Sequence, residues 1–259
     1  MNIAVIGVGH MGSWFARELL KDGNSVAVFD HEPKKIEGFT GGTLLHEPAA
    51  LADFQPDLLL NAVSIRRTIE AFDACKPYLP DHCVLVDVTS VKNGLPQYYQ
   101  QGNFRYASLH PMFGPTFANV DNLQEENVVL ITESDPNARE FFRTFFSARG
   151  LHIFEFSFKA HDQMTAYSLS LPFASTLVFA ACMKNTAVPG TTFKRHLTIA
   201  QGLLSEDDHL LAEILFNDFS LEQLERVTSR LEFLKHVIRD RDYEEATRFF
   251  ETLRHNINA

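Results

Sequence analysis

Short apolar runs punctuate the first part of the chain at residues 3–6, 25–29, 58–63, 84–88, 127–131 and 152–156. Continuous rather than alternating hydrophobicity predicts strands buried on both faces. Between several of these runs, at residues 11–21, 66–75 and 137–148, apolar side chains return at helical spacing. Strands of that kind alternating with helices predict a doubly wound parallel sheet with helices on both faces. Beyond about residue 158 the strand signal stops. Helical patterning then runs to the end, broken at Pro189-Gly190 and near residues 205–208. Ser220 with Gln223 and Asp242 with Glu245 have capping-box spacing and predict two helix starts. Leu221, Leu224, Val227, Leu231 and Leu234 form an apolar stripe, which reads either as intrachain core or as a surface for a second copy. The expected architecture is α/β: a doubly wound parallel-sheet domain over residues 1–157, then an all-α domain over 158–259.

Composition narrows the function. Hydrophobic residues at 45% and charged residues at 22% are those of a globular protein, which excludes a disordered chain. A formal net charge of −10 is wrong for binding nucleic acid, because phosphate contacts need clustered Lys and Arg. The 23 Phe residues predict an aromatic core. Cys75, Cys83 and Cys182 have neither metal-ligand spacing nor a C-x-x-C pair, so free buried thiols and no metal site are expected. Free thiols suit a reducing compartment, and no basic segment precedes residues 3–6 as a secretory leader would require; the cytoplasm is expected. The longest apolar stretch, 169–183, is interrupted by Ser, Thr and Pro and reads as a buried core helix rather than a membrane span.

Gly7-Val8-Gly9-His10-Met11-Gly12 follows the first predicted strand and opens the first predicted helix. In this G-x-G-x-x-G pattern the glycines allow a tight turn, close approach of a pyrophosphate and close helix–strand packing. The amides of His10 and Met11 then face the phosphates at the positive end of the helix. Asp30 ends the second strand, where a carboxylate accepts both ribose hydroxyls and repels a 2′-phosphate. NAD is therefore expected over NADP, with Lys34 and Lys35 read either as softening that preference or as solvated surface. Val63 and Ser64 end the next strong strand, where their backbone lines the cofactor path; the Ser64 side chain reads equally as a turn residue.

Two polar strings follow strands in the same way. The first is Asp87-Val88-Thr89-Ser90-Val91-Lys92-Asn93-Gly94; the second is His110-Pro111-Met112-Phe113-Gly114-Pro115. Ser90 and Lys92 would face the crevice where substrate meets the nicotinamide. His110 has two readings, a packing histidine or a positioned proton acceptor with a pKa near working pH.

Together with Gly7, Gly9 and Gly12, the D-V-T-S-V-K-N-G and H-P-M-F-G-P strings closely resemble the prephenate dehydrogenase family, and most nearly the dehydrogenase half of its bifunctional chorismate mutase members. The likeness extends to His161-Asp162-Gln163 and, more weakly, to the region after Phe193. It implies an NAD-dependent oxidative decarboxylation of prephenate to 4-hydroxyphenylpyruvate in tyrosine biosynthesis. By the same resemblance His110 takes the 4-hydroxyl proton, Ser90 hydrogen-bonds in that cluster, and Lys92 aids binding or catalysis. Helical domains in the family commonly pair, which implies a homodimer.

One position departs from the pattern. Pro172 stands where bifunctional relatives carry a carboxylate-binding arginine. A dianionic substrate still needs a cation; Arg195, with Lys194 and His196 beside it, reads either as the replacement or as part of a basic helix face in water. His161-Asp162 reads either as a helix cap or as part of the crevice. Arogenate and 4-amino-4-deoxyprephenate remain alternative substrates. More distant alternatives are a 3-hydroxyacid or imine dehydrogenase, which needs a lysine on the first long helix of the second domain, and a NAD-binding regulator without turnover.

Overall fold

The computed structural model describes residues 1–114, 122–184 and 188–258; Pro115 lies outside them. Eight strands are seen among the described residues: β1 (Asn2–Ile6), β2 (Ser25–Phe29), β3 (Thr43–Leu44), β4 (Leu58–Asn61), β5 (Val84–Asp87), β6 (Tyr106–Pro111), β7 (Asn127–Ile131) and β8 (His152–Phe156). They form one sheet in the order β3-β2-β1-β4-β5-β6-β7-β8. Every neighbouring pair is parallel except β6 and β7, so the sheet is mixed rather than wholly parallel. An antiparallel neighbour needs no crossover helix. The apolar runs do not reveal β3 and β6: the first is two residues long, and Ser108 and His110 interrupt the second.

The central strands of the sheet are buried on both faces, as their sequence requires, while the edge strands β3 and β8 have no buried residue. Along β1, Ile3 and Val5 join a core with Phe15, Leu19, Phe142 and Phe146. Ala4 and Ile6 point the other way, into a core with Leu59, Phe72 and Tyr99. Side chains alternate across a strand, so a strand with two buried faces has no polar positions. Trp14, on the helix His10–Lys21, meets Phe113 edge to face at 5.3 Å, bringing the glycine-rich turn beside the segment that follows His110.

From Phe158 onward the described residues are helical or connecting. Helix Phe158–Thr165 runs through a π-helical turn, Ala166–Ser170, into helix Leu171–Ala181. The widened turn stands just before Pro172, which lacks an N–H and crowds the turn that precedes it. Helices Thr191–Leu203, Asp208–Leu215, Ser220–Asp240 and Tyr243–Asn258 follow. Asp242 caps the last of these, its Oδ1 accepting from the Glu245 amide at 2.9 Å. Ser220 does not cap as its spacing predicts. Its hydroxyl donates to the Ile214 carbonyl at 3.2 Å and meets Ser170 Oγ at 2.7 Å, joining two helices.

Two expectations about burial are corrected. Helix Leu171–Ala181 has no buried residue, so it is not the core helix its composition suggests. By length and composition alone the continuous helix Phe158–Ala181 is long and apolar enough to cross a bilayer. Leu221 and Leu231 are 65% and 50% exposed, so their stripe is not intrachain core. Neighbouring helices cover these two helices only in part, Phe179 meeting Phe193 at 5.3 Å and Phe233 meeting Phe249 at 5.0 Å. Of the three free cysteines, Cys75 and Cys83 are buried and burial pushes their thiols up to about 11 and about 12; Cys182 is exposed.

The carboxyl end of β5 holds a fully buried ion pair. Asp87 Oδ1 accepts from Lys92 Nζ at 2.7 Å and from Thr89 Oγ1 at 2.9 Å, and Oδ2 accepts from the Tyr99 hydroxyl at 2.9 Å. The Lys92 ammonium also donates to the Leu109 carbonyl at 2.6 Å. Lys92 is 0% exposed, so it does not present a cation to the crevice as its position in the string suggests; it braces β5 against β6. Burial pulls its pKa down and Asp87 opposes that pull. Lys92→Ala would leave a buried carboxylate without its counter-charge. The expected cost is about 3–5 kcal/mol of stability, read as a lower midpoint of urea unfolding.

Candidate active site

The chain leaves β1 through the glycine turn. Gly7 has φ +84°, and a Cβ there would stand 2.7 Å from the Val63 amide nitrogen; a Cβ at Gly12 would stand 1.8 Å from the Gly7 carbonyl oxygen. Packing alone demands these two glycines. Gly9 is different, because a Cβ there would meet nothing within 4 Å. Gly9 also precedes helix His10–Lys21 without side-chain capping of that helix. Open space at Gly9 and uncapped amides at the positive end of a helix fit a pyrophosphate.

Asp30 follows β2 and is 6% exposed. Its Oδ2 accepts from the Val8 amide at 2.7 Å and its Oδ1 from the Glu32 amide at 2.9 Å. The carboxylate thereby fixes the glycine turn. Each oxygen has a second lone-pair site, which leaves acceptor capacity for a ribose hydroxyl.

A cleft of about 580 Å³ opens between the sheet edge and the helices. Gly9, His10 and Met11 enter it from the turn, Val63 and Ser64 from beyond β4, Ser90 from beyond β5 and His110 from the end of β6. Leu169, Phe173, Leu210 and Ile214 close it from the helical side. These expected site residues share one space because β1, β4, β5 and β6 all end at the same edge of the sheet, where open α/β folds bind ligands.

Lys194 and Arg195 are not in that space. Both are exposed near the start of helix Thr191–Leu203, well before Ala200 and Leu203, where that helix turns buried. Pro172 is also exposed and does not line the cleft. Arg66 does, and among the described lining residues it is the one Lys or Arg. The sequence carried a signal for it: Arg66 directly follows the 61–65 segment assigned to the cofactor path. Glu213 lines the same cleft from helix Asp208–Leu215 and had no such signal.

His110 and His161 meet across the two domains, Nδ1 of the first 2.8 Å from Nε2 of the second. His161 Nδ1 lies 2.8 Å from Asp162 Oδ1, and that oxygen also accepts from the Lys92 amide at 3.2 Å. Thr165 Oγ1 stands 3.4 Å from His161 Nε2. Of the two readings of His161-Asp162, the helix cap is taken by Ser157, which accepts from the Ala160 amide, and the pair stands behind His110 without lining the cleft itself. Burial, then His161 and Lys92, hold His110 well below the ordinary histidine range rather than near working pH. Burial and Lys92 bring His161 down to about 3, and burial raises Asp162 to about 6. Both imidazoles are therefore neutral at pH 7, as a proton acceptor must be.

Comparison with known proteins agrees with this layout. Residues 2–103 match the family model for the NAD binding domain of 6-phosphogluconate dehydrogenase, so the first domain is an NAD-binding domain. The T-protein of Haemophilus influenzae is 25% identical over 96% of this chain and 62% of its own length. A probable arogenate/prephenate dehydrogenase of Methanocaldococcus jannaschii is 22% identical over 94% of this chain and 58% of its own. The chain thus spans less than two thirds of the curated relatives it matches. Prephenate dehydrogenase from A. aeolicus, in a structure with hydroxyphenyl propionate and NAD+, shares the fold with a TM-score of 0.84 over 99% of this chain and 96% of that one, at 20% identity. With an NAD-binding domain and relatives matched along nearly its whole length, the chain is similar to prephenate and arogenate dehydrogenases in sequence and in fold.

Proposed function

We propose that the protein catalyses the NAD-dependent oxidative decarboxylation of prephenate, with His110 as the proton acceptor. The observation that carries this reading is the neutral His110 imidazole lining the same cleft as the open glycine turn. The bound dinucleotide supplies a hydride acceptor at its nicotinamide. His110 Nε2 takes the proton from the 4-hydroxyl as the carbinol carbon gives up its hydride, and loss of the ring carboxylate then makes the ring aromatic. Ser90 stands on the same cleft wall to hydrogen-bond the reacting oxygen. Leu169, Phe173 and Leu210 exclude water from the ring, and Asp30 selects NAD by its charge. A 3-hydroxyacid or imine dehydrogenase would need a lysine here, and none lines the cleft among the described residues.

A dianionic substrate needs a cation, and we assign that part to Arg66 at the cleft in place of Lys194 and Arg195. The apolar faces of helices Leu171–Ala181 and Ser220–Asp240 are those of a chain that pairs with a second copy, and its free cysteines suit the cytoplasm.

Purified protein with NAD and prephenate should produce absorbance at 340 nm, and His110→Asn should lower kcat by about 100-fold to 10,000-fold while NAD still binds. Turnover of arogenate or the 4-amino analogue alone would transfer the reading to that substrate; no turnover of any of the three would overturn it. Because burial lowers the pKa of His110, its own protonation should lower kcat/KM only below the ordinary histidine range. Arg66→Leu should raise KM for the dicarboxylate by about 10-fold to 100-fold with a smaller change in kcat, the worth of a charged hydrogen bond. Light scattering should give twice the mass of one chain, and a monomer mass would contradict the pairing.

A further inference from the structure

We propose that His161 and Asp162 are positioning residues for His110, forming a relay across the domain junction that turns His110 Nε2 into the acceptor and carries the captured proton to Asp162. The inference rests on the proposed role of His110 and assigns a part to two residues of the other domain.

With both imidazoles neutral, the hydrogen bonds permit only two consistent proton arrangements. Asp162 Oδ1 accepts from the Lys92 amide, and when ionised it can only accept from His161 Nδ1 as well. A neutral His161 that donates through Nδ1 has a bare Nε2, so His110 must donate to it through Nδ1. A neutral His110 that donates through Nδ1 has a bare Nε2, the nitrogen left for the cleft that His110 lines. In the second arrangement every proton has moved one place. The substrate O–H breaks and an N–H forms at His110 Nε2; the His110 Nδ1 proton passes to His161 Nε2; the His161 Nδ1 proton passes to Asp162 Oδ1. Both imidazoles end neutral and the carboxylate becomes a carboxylic acid, so charge and protons balance.

The surroundings favour that end state. His161 is 0% exposed and His110 is 3% exposed, so an imidazolium at either would lack water. The nearby charged groups are Lys92 and Asp87, beyond and at the end of β5, and they are already paired with each other. From the helical domain Thr165 stands against His161, and the Asn217 side-chain amide donates to the Asp162 backbone carbonyl at 3.0 Å; neither carries charge. Burial also makes Asp162 a more receptive carboxylate than an exposed one.

The test has one reading that needs no substrate. Imidazole ¹⁵N NMR of the wild-type protein at pH 7 should show both rings neutral and protonated at Nδ1; His110 protonated at Nε2 would overturn the relay. This readout stands whether or not prephenate is turned over, so failure of the relay and failure of the proposed reaction are told apart. In kinetics, Asp162→Asn keeps an acceptor oxygen for the Lys92 amide and His161 but cannot take the proton. It should lower kcat by about 100-fold or more with KM little changed, and remove the acid limb that Asp162 contributes. Asp162→Glu, which restores a carboxylate, should recover part of the rate. If Asp162→Asn fails to fold, His161→Gln with the same pH profile replaces it. Wild-type kcat and an unmoved acid limb in either variant would overturn the proposal.

Discussion

The buried pair of Lys92 and Asp87 joins more of this molecule than any exposed feature does. Through its ammonium, Lys92 holds the end of β5 and the Leu109 carbonyl of β6, one residue before His110. Through its backbone amide it holds Asp162 of the helical domain. One residue therefore sets the separation of two strand ends and the docking of the second domain upon them. A charge taken wholly out of water is tolerable only when its partner and hydrogen bonds are in place, so this corner has one satisfactory arrangement. The tyrosine, threonine and carbonyl around the pair complete it.

That brace bears directly on the chemistry. The base proposed for this cleft would have to be neutral, and burial favours the neutral form of His110. The same burial makes the protonated base costly, so its charge must be dispersed or passed on. The His161–Asp162 pair touches His110 only because the two domains are packed together, which makes the site a property of the junction rather than of either domain. A base with its partner across a domain boundary is oriented only when the cleft is closed on that side.

The helical domain looks incomplete in a single chain. Its long first helix is apolar yet has no buried residue over Leu171–Ala181, and its longest helix leaves Leu221 and Leu231 in water. Uncovered surface of this kind on an otherwise acidic chain is unfavourable for a solitary monomer. The scarcity of cations in the cleft has a related origin. Lys194 and Arg195 lie on an exposed helix face, and the one arginine at the cleft comes from the opposite domain.

Sequence alone determined the α/β order, the glycine turn and the polar strings at strand ends. Each of those follows from local rules: a strand with two buried faces must be apolar throughout, Gly7 must take a positive φ, and a turn between strand and helix must sit at the sheet edge. It gave no apolar run for β6, because a histidine and a serine interrupt that strand, and it expected a parallel sheet where β7 runs antiparallel to β6, because strand direction is not written in hydrophobicity. Only the tertiary structure decided what each polar residue does. Lys92 reads as a cleft cation by position in its string, yet its ammonium turns inward because Asp87 is there to receive it. Arg195 reads as a substrate clamp by chemistry, yet it lies on an exposed part of its helix. His161 and Asp162 admit two readings until the domains are docked, because a hydrogen bond between residues 51 positions apart depends on the whole path of the chain between them.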